Sequence, residues 1–437
     1  MINNSYLNST NFIKYLYYFL PLSIGFGGFL PNVFIILISI IFLRLIFIKS
    51  VKVELFPNKF FVFLLIFWLI SILSSIFSDT KLVSLQSSIF YIRFIIFSYA
   101  IKWLLDNKIV NHKIFFQILL GTISFILFFA ILEYITGYNI IIDDFLRFFE
   151  TGPIEPNTRI SGLFGDEQVL GGYLLRILLF LLIIYSIAEK ELTKKIKFYF
   201  LIILIFCGIF IFLSGERSSI FLLILSILSI FMLINGYNKT KISISLILIL
   251  TWTILILSKP HIHNRIVQQT FYLQLYSKEN NKIQFFSKIH EAHFSTALNI
   301  FKDKPILGGG NKSFRTLCHY PKYSLNIPKF KTGKLDGVTM GCATHPHNFY
   351  IQILAENGIF NFIIIIFFYF IILKKLFIQF LNKFFFKREY LENKQIYTLL
   401  FFAVLLWPIV PSGSFFTSWI ASTLFLPIAY LSKEFNK

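Results

Sequence analysis

Twelve apolar runs alternate with polar segments along the chain, at residues 13–29, 32–48, 59–77, 85–105, 115–136, 168–187, 196–213, 218–234, 241–258, 349–373, 396–410 and 413–431. A hydrocarbon core about 30 Å thick is crossed by roughly 17–25 residues of helix, and most of the runs have that length. Backbone polar groups in lipid must be satisfied within the segment, so such runs form helices. The pattern predicts an all-α polytopic membrane bundle of about 12 transmembrane helices, one integral domain over residues 1–437. The pairs 13–29/32–48 and 396–410/413–431 are short enough to be re-entrant hairpins. Two polar interruptions stand out: 137–167, and a large, partly helical loop over 259–348 between spans 9 and 10.

Composition agrees. Hydrophobic residues are 56% of the 437 and charged residues 14%, with a mean hydropathy of +0.73. The first span has no A-x-A-like site after it, so it is not expected to be a cleaved signal. Lys and Arg placement then sets orientation. Lys49, Lys52, Lys190, Lys194, Lys195, Lys197, Lys374, Lys375, Lys387 and Arg388 all fall on one side, against only Lys81, Arg147, Arg159 and Arg217 in the shorter loops of the other. Both termini are therefore expected in the cytoplasm and both long loops outside. The net charge of +20 is mainly this topology signal, and nucleic-acid binding is not implied. The large loop holds thirteen Lys/Arg against Glu279, Glu291, Asp303 and Asp336, a surplus that attracts anionic lipid head groups or simply keeps the loop solvated.

Within the loops, Cys318 and Cys342 lie 24 positions apart and are candidates for one disulfide in an oxidising compartment; Cys207 falls inside a span. Residues 286–303 carry apolar positions at helical spacing and should stop at Lys304-Pro305. Gly308-Gly309-Gly310-Asn311 follows; no Lys-Ser/Thr stands at phosphate-loop spacing, so it reads as a flexible turn. His290 and His293 share a helix face, but without a carboxylate or cysteine partner they are weak evidence for metal, and no metal or cofactor is expected. In the smaller loop, Asp166 and Glu167 fall where a helix should begin, suited to capping it.

Several arginines stand where charge is costly. Arg93 and Arg176 lie inside spans, about eight residues from the outer end, roughly 12 Å deep at 1.5 Å per residue. Each should face the bundle interior and meet an anion; Glu133 is one candidate partner. Arg217 sits in the very short turn Leu213-Ser214-Gly215-Glu216-Arg217, where a guanidinium fork next to a helix start suits a phosphate or a salt bridge to Glu216. Arg159 and Arg265, in the two long loops, are further candidate substrate ligands.

The large loop ends in His345-Pro346-His347-Asn348, directly before a span. His347-Asn348, nine residues and Gly358 resemble the signature of the O-antigen ligase and polymerase superfamily. Arg159-x-Ser-Gly-x-Phe-Gly-Asp-Glu, Ser-Gly-Glu-Arg217 and Pro305-Ile-Leu-Gly-Gly-Gly-Asn-x-x-Phe314 are similar to further family features in the same order; Asn361 departs from the small residue or Tyr usual there. The resemblance implies a bacterial inner-membrane glycosyltransferase. It moves a glycan from a polyprenyl diphosphate carrier to lipid A–core or another glycan acceptor at the periplasmic face, inverting and without metal. His347 would be general base and Arg217 the main diphosphate ligand, serving one reaction. Arg159, Arg93, Arg176, Arg265 and Asn348 would be supporting substrate ligands. His345 is the rival base, and Pro346 argues against both imidazoles facing one site. A protein O-oligosaccharyltransferase and a polysaccharide transporter or flippase are the alternatives; charges near one face and halves of unequal loop length weigh against the transporter.

Overall fold

The computed structural model describes residues 4–48, 59–139, 159–165, 167–277, 282–283, 285–323 and 341–431. Each of the twelve apolar runs contains a helix: α1 (Asn4–Ile24), α2 (Phe29–Phe47), α3 (Lys59–Ile76), α4 (Lys81–Asp106), α5 (His112–Thr136), α6 (Leu170–Ala188), α7 (Lys194–Leu213), α8 (Arg217–Leu233) and α9 (Asn238–Ser258). After the large loop come α13 (Phe349–Phe385), α14 (Asn393–Leu405), and the short pair α15 (Ser418–Phe425) and α16 (Ile428–Leu431). Among the described residues, seven helices are long and apolar enough to cross a membrane, and Phe60–Ile76, Arg217–Leu233 and Ser418–Leu431 are shorter apolar helices. The protein is a polytopic helical membrane protein. The last predicted run, 413–431, is not one rod: Pro427, lacking an N–H, separates α15 from α16.

The large loop carries α10 (Pro260–His263), a π-helical stretch Asn264–Leu275, a two-residue hairpin pairing Tyr276–Ser277 with Lys282–Ile283, α11 (Lys288–Asp303) and α12 (Phe314–Leu317). Helix α11 begins where Ser287 accepts from the His290 N–H and ends at Lys304, before Pro305. Its buried face, with Ala297 and Ile300, packs on Phe314, Leu317, Cys318, Tyr323 and Ala355. Cys318 and Cys342 are joined by a disulfide with their Cα atoms 5.1 Å apart.

The chain forms two compact units: residues 1–38, 103–283 and 374–405, and residues 39–102, 284–373 and 406–437. In the first, α6 is the most deeply buried helix, 78% of its span covered, so Leu and Ile occupy nearly every face. In the second, the triple glycine is no flexible turn. Helix α13 is interrupted at Gly358 (φ 73, ψ −168), a backbone region open essentially to glycine alone. The break exposes carbonyls that the loop captures: Gly309 N–H donates to Ala355 (2.9 Å) and Gly310 N–H to Glu356 (2.7 Å), while Ile359 N–H reaches Pro305 (2.9 Å). A Cβ at 308 would lie 2.5 Å from the Glu356 carbonyl carbon, which is why glycine sits there. The motif around Pro305–Phe314 and the motif ending in Gly358 are thus two sides of one junction.

Candidate functional site

The first unit holds the arginine turn. Arg217 opens α8 just after Ser214-Gly215-Glu216. Arg159 donates through Nε to the Ser214 carbonyl (2.9 Å) and through Nη1 to Gln168 Oε1. Arg265, from the π-helical stretch, reaches the Gly215 carbonyl (3.4 Å) and Gln269 Oε1 (3.2 Å). Three guanidinium groups so converge on one four-residue turn. Burial holds Arg159 below the usual guanidinium range, and the neighbouring charges of Arg265 and Arg217 push the same way. An anion placed here relieves both costs.

Glu216 has a different job from a salt bridge with Arg217. Its carboxylate accepts from Gly171 N–H (2.6 Å), Gly172 N–H (3.0 Å) and Ser219 Oγ (3.0 Å), capping the start of α6. Gly171 and Gly172 permit the approach, since a Cβ on either would stand 3.1–3.2 Å from a Glu216 oxygen. Glu216 therefore takes the capping role expected of Asp166 and Glu167: Asp166 lies outside the described residues, and Glu167 is exposed. Arg176 sits one turn along α6, donating to the Gly172 carbonyl (2.8 Å) within the field of Glu216. Glu133 partners no arginine among the described residues; it accepts from the Ser161 and Gly162 N–H groups (3.0 and 2.5 Å) and Asn139 (3.2 Å), pinning the end of the smaller loop.

The second unit holds the histidines. Four of the eight in the chain meet: the His347 ring lies 4.1 Å from His345, 5.2 Å from His293 and 5.4 Å from His290, centre to centre. Pro346 does not direct the first two apart. The reason is His347 itself, whose φ of 58 puts it in the left-handed region and turns its ring back toward its neighbour. Ser412 N–H holds that geometry by donating to the His347 carbonyl (2.8 Å). Asn348 is buried and locks the next step: its Oδ1 accepts from Tyr350 and Ile351 N–H (3.0 and 3.2 Å), starting α13, and its Nδ2 donates to the Pro408 carbonyl (2.8 Å).

Burial and three neighbouring imidazoles push His347 down to about 3, and burial above all takes His345 to about 4. Both are neutral across the physiological range. They differ in what they have left to offer. His345 is engaged at both nitrogens, Nδ1 with Thr344 Oγ1 (3.0 Å) and Nε2 with the Ser412 carbonyl (3.3 Å). The His347 ring makes only ring contacts among the described residues.

Arg93 belongs with this second group, not with the arginine turn. It donates to the Phe90 carbonyl and to Ser418 Oγ (3.2 Å) and lies over the Phe94 ring at 4.5 Å. Lys312 feels the charges of Arg315 and Arg93, and Arg315 also acts on His345. Lys312 and Arg315 escaped the sequence reading because nothing in their local pattern distinguishes them from other loop cations.

Residues 200–366 match the family model described as O-antigen ligase. Over that stretch the chain is similar to an O-antigen ligase domain. The matched stretch runs from α7 into α13 and includes Arg217, Arg265 and all four clustered histidines; Arg93, Arg159 and Arg176 precede it. No curated protein matches the chain. The match supports a glycan-transfer role of the ligase or polymerase type and, with it, glycosyltransferase activity.

Proposed function

We propose that this protein transfers a glycan from a polyprenyl diphosphate carrier to an acceptor hydroxyl at the periplasmic face of the bacterial inner membrane, with both of its termini in the cytoplasm. His347 is the general base and Arg217 the principal diphosphate ligand. The observation that carries the reading is the placement of His347: a left-handed turn at the start of α13 sets its ring against three other imidazoles, where burial favours the neutral form, and among the described residues the ring has no hydrogen bond to give up. A neutral imidazole next to a reacting hydroxyl is suited to take its proton.

The reaction balances without a further reactant. The acceptor oxygen forms a bond to the anomeric carbon and its proton passes to His347. The carbon–oxygen bond to the diphosphate breaks, and the polyprenyl diphosphate leaves with the electron pair. Attack from the opposite face inverts the anomeric centre. Charge accumulates on the leaving diphosphate, where preorganised cations are most effective. Arg217, Arg159 and Arg265 supply that charge at the Ser214–Arg217 turn, Arg176 stands one turn below, and Arg93 with Lys312 and Arg315 supplies positive potential near the histidines. Asn348 acts by fixing the backbone on which His347 stands.

The test is the surface glycan and lipid-linked intermediates of a strain lacking this protein. Loss of long surface glycan with the lipid-linked donor accumulating on the outer leaflet supports transfer; accumulation on the inner leaflet refutes it in favour of export. A core bearing one repeat unit assigns a polymerase, bare core with polymer still on its carrier a ligase, and loss of glycan from protein alone an oligosaccharyltransferase.

A further inference from the structure

The rim of the histidine cluster carries positive charge that proton transfer alone does not require. Two connections hold it there. The first is the segment from Ser412 to Ser418. At one end the Ser412 N–H donates to the His347 carbonyl (2.8 Å), and at the other Ser418 Oγ accepts from Arg93 (3.2 Å). Between them Gln352 is bonded to Ser414 Oγ (2.9 Å), the Phe415 N–H (2.8 Å) and Glu356 (3.0 Å). Glu356 in turn accepts from the backbone N–H groups of Lys312 (3.0 Å) and Phe314 (3.3 Å). The second connection is the disulfide. Arg315 stands three residues before Cys318 and His345 three after Cys342, so the bridge clamps the turn that bears Arg315 against the stretch leading to His345.

These cations lack a matching acid. Lys304 and Lys322, the loop lysines on either side, pair with Asp79 and Asp303. The side chains of Lys312 and Arg315 have neither a hydrogen bond nor an ion pair among the described residues. Glu356, the acid whose field reaches Lys312, has its oxygens occupied by two backbone N–H groups and Gln352. Lys312 is half-buried, and burial first, then the charge of Arg315, holds it below the usual ammonium range; Glu356 offsets only part, and Arg93 adds to the depression. An ammonium taken out of water without an acid is unfavourable, and an arriving oxyanion relieves that cost. Arg315 is exposed and open to such a ligand.

Direct displacement at the anomeric carbon puts the attacking hydroxyl and the leaving diphosphate on opposite faces, and the base marks the hydroxyl's side. Cations tied to the base's own segment therefore meet charge carried by the acceptor. We propose that Lys312 and Arg315, with Arg93 in support, bind an oxyanion (phosphate or carboxylate) on the acceptor glycan, an assignment that rests on His347 being the base. The acceptor is then a charged saccharide. Its anion also offsets the positive charge that builds up beside these cations as the imidazole takes the proton.

The experiment has a binding arm and a transfer arm, both on the full-length protein in detergent. Phosphorus NMR of inorganic phosphate reads binding without any reaction; an Arg217→Ala background lowers the contribution of the arginine turn. Lys312→Gln combined with Arg315→Gln should weaken phosphate binding by about tenfold or more, the loss of charge-assisted bonds, and Lys312→Arg should keep it. The transfer arm uses the acceptor that accumulates in a strain lacking this protein. Lys312→Gln and Arg315→Gln should each raise the acceptor KM by about tenfold and leave the donor KM in place. A rise in donor KM instead, an unchanged acceptor KM in both variants, or an accumulated acceptor without phosphate or carboxylate overturns the proposal. Phosphate binding that depends on 312 and 315 in a folded protein that transfers nothing keeps the anion site and removes the transfer reading. Transfer that needs His347, with phosphate binding and acceptor KM untouched by the two substitutions, removes the anion site and leaves the transfer reading.

Discussion

Replacing Gly358 by alanine tests the junction that fixes the start of α13. At φ 73 and ψ −168 a side-chain-bearing residue pays about 1–3 kcal/mol in backbone strain alone. The added Cβ would also stand 2.5 Å from the Ile306 carbonyl carbon and 2.8 Å from the Gly308 nitrogen, both backbone atoms that cannot rotate away. Relieving that overlap costs a further 1–3 kcal/mol or so. If the chains part, the bonds from Gly309, Gly310 and Ile359 are strained or lost, at about 1 kcal/mol each. These costs overlap, and roughly 3–5 kcal/mol is expected from them jointly, a large part of ordinary protein stability. The assay is the fraction of protein that stays monodisperse after heating in detergent, beside Gly121→Ala as a control. Gly121 lies inside α5 with nothing within 4 Å of a new Cβ, so that change should be neutral or slightly stabilising. Gly358→Ala should show a clear drop in midpoint. Equal midpoints for both variants would refute the packing argument.

Glu216→Ala should destabilise by about 2–4 kcal/mol, read in the same heating assay, because it strands two buried N–H groups at the start of α6; an unchanged midpoint would contradict the capping role. Reducing the Cys318–Cys342 bridge should loosen the loop by about 3 kcal/mol, seen as faster proteolysis around residues 318–342 than in the oxidised protein. His347 pushed down to about 3 and His345 to about 4 remain neutral well below the ordinary imidazole value near 6.5, so transfer rates should show no half-maximum at pH 6–7 from the base. The same shifts make the folded state bind fewer protons than the unfolded one: this contribution is complete above about pH 6.5 and is lost as pH falls toward 4, which thermal midpoints taken from pH 7 to pH 4 would reveal.

The helices were legible because bilayer-spanning segments declare themselves by length and apolarity; the breaks inside the runs, at Gly358 and at Pro427, were not. The arginine turn was legible too, since a guanidinium in a four-residue connection has few places to go. The roles of the acids were not. Glu133 and Glu216 look from sequence like partners for arginine, but a carboxylate satisfies buried N–H groups as well as it satisfies a cation, and only the folded chain reveals which it meets. The histidine cluster was hidden for a related reason. His290 and His293 lie more than fifty positions before His347, and Pro346 suggested divergence; a positive φ at one residue reverses that, and no local pattern announces it. The glycine triplet was misread as slack because its partner, the break at Gly358, lies some fifty residues away.

The most direct test of the central claim is transfer by the purified protein from a polyprenyl diphosphate-linked glycan, followed as release of the polyprenyl diphosphate. His347→Ala should slow release by about 10²–10⁴, the range for loss of a general base. Arg217→Ala should slow it by about 10²–10³, the range for loss of one preorganised group that stabilises developing charge. Both variants should elute as folded protein. Release at an undiminished rate from folded His347→Ala would contradict the account.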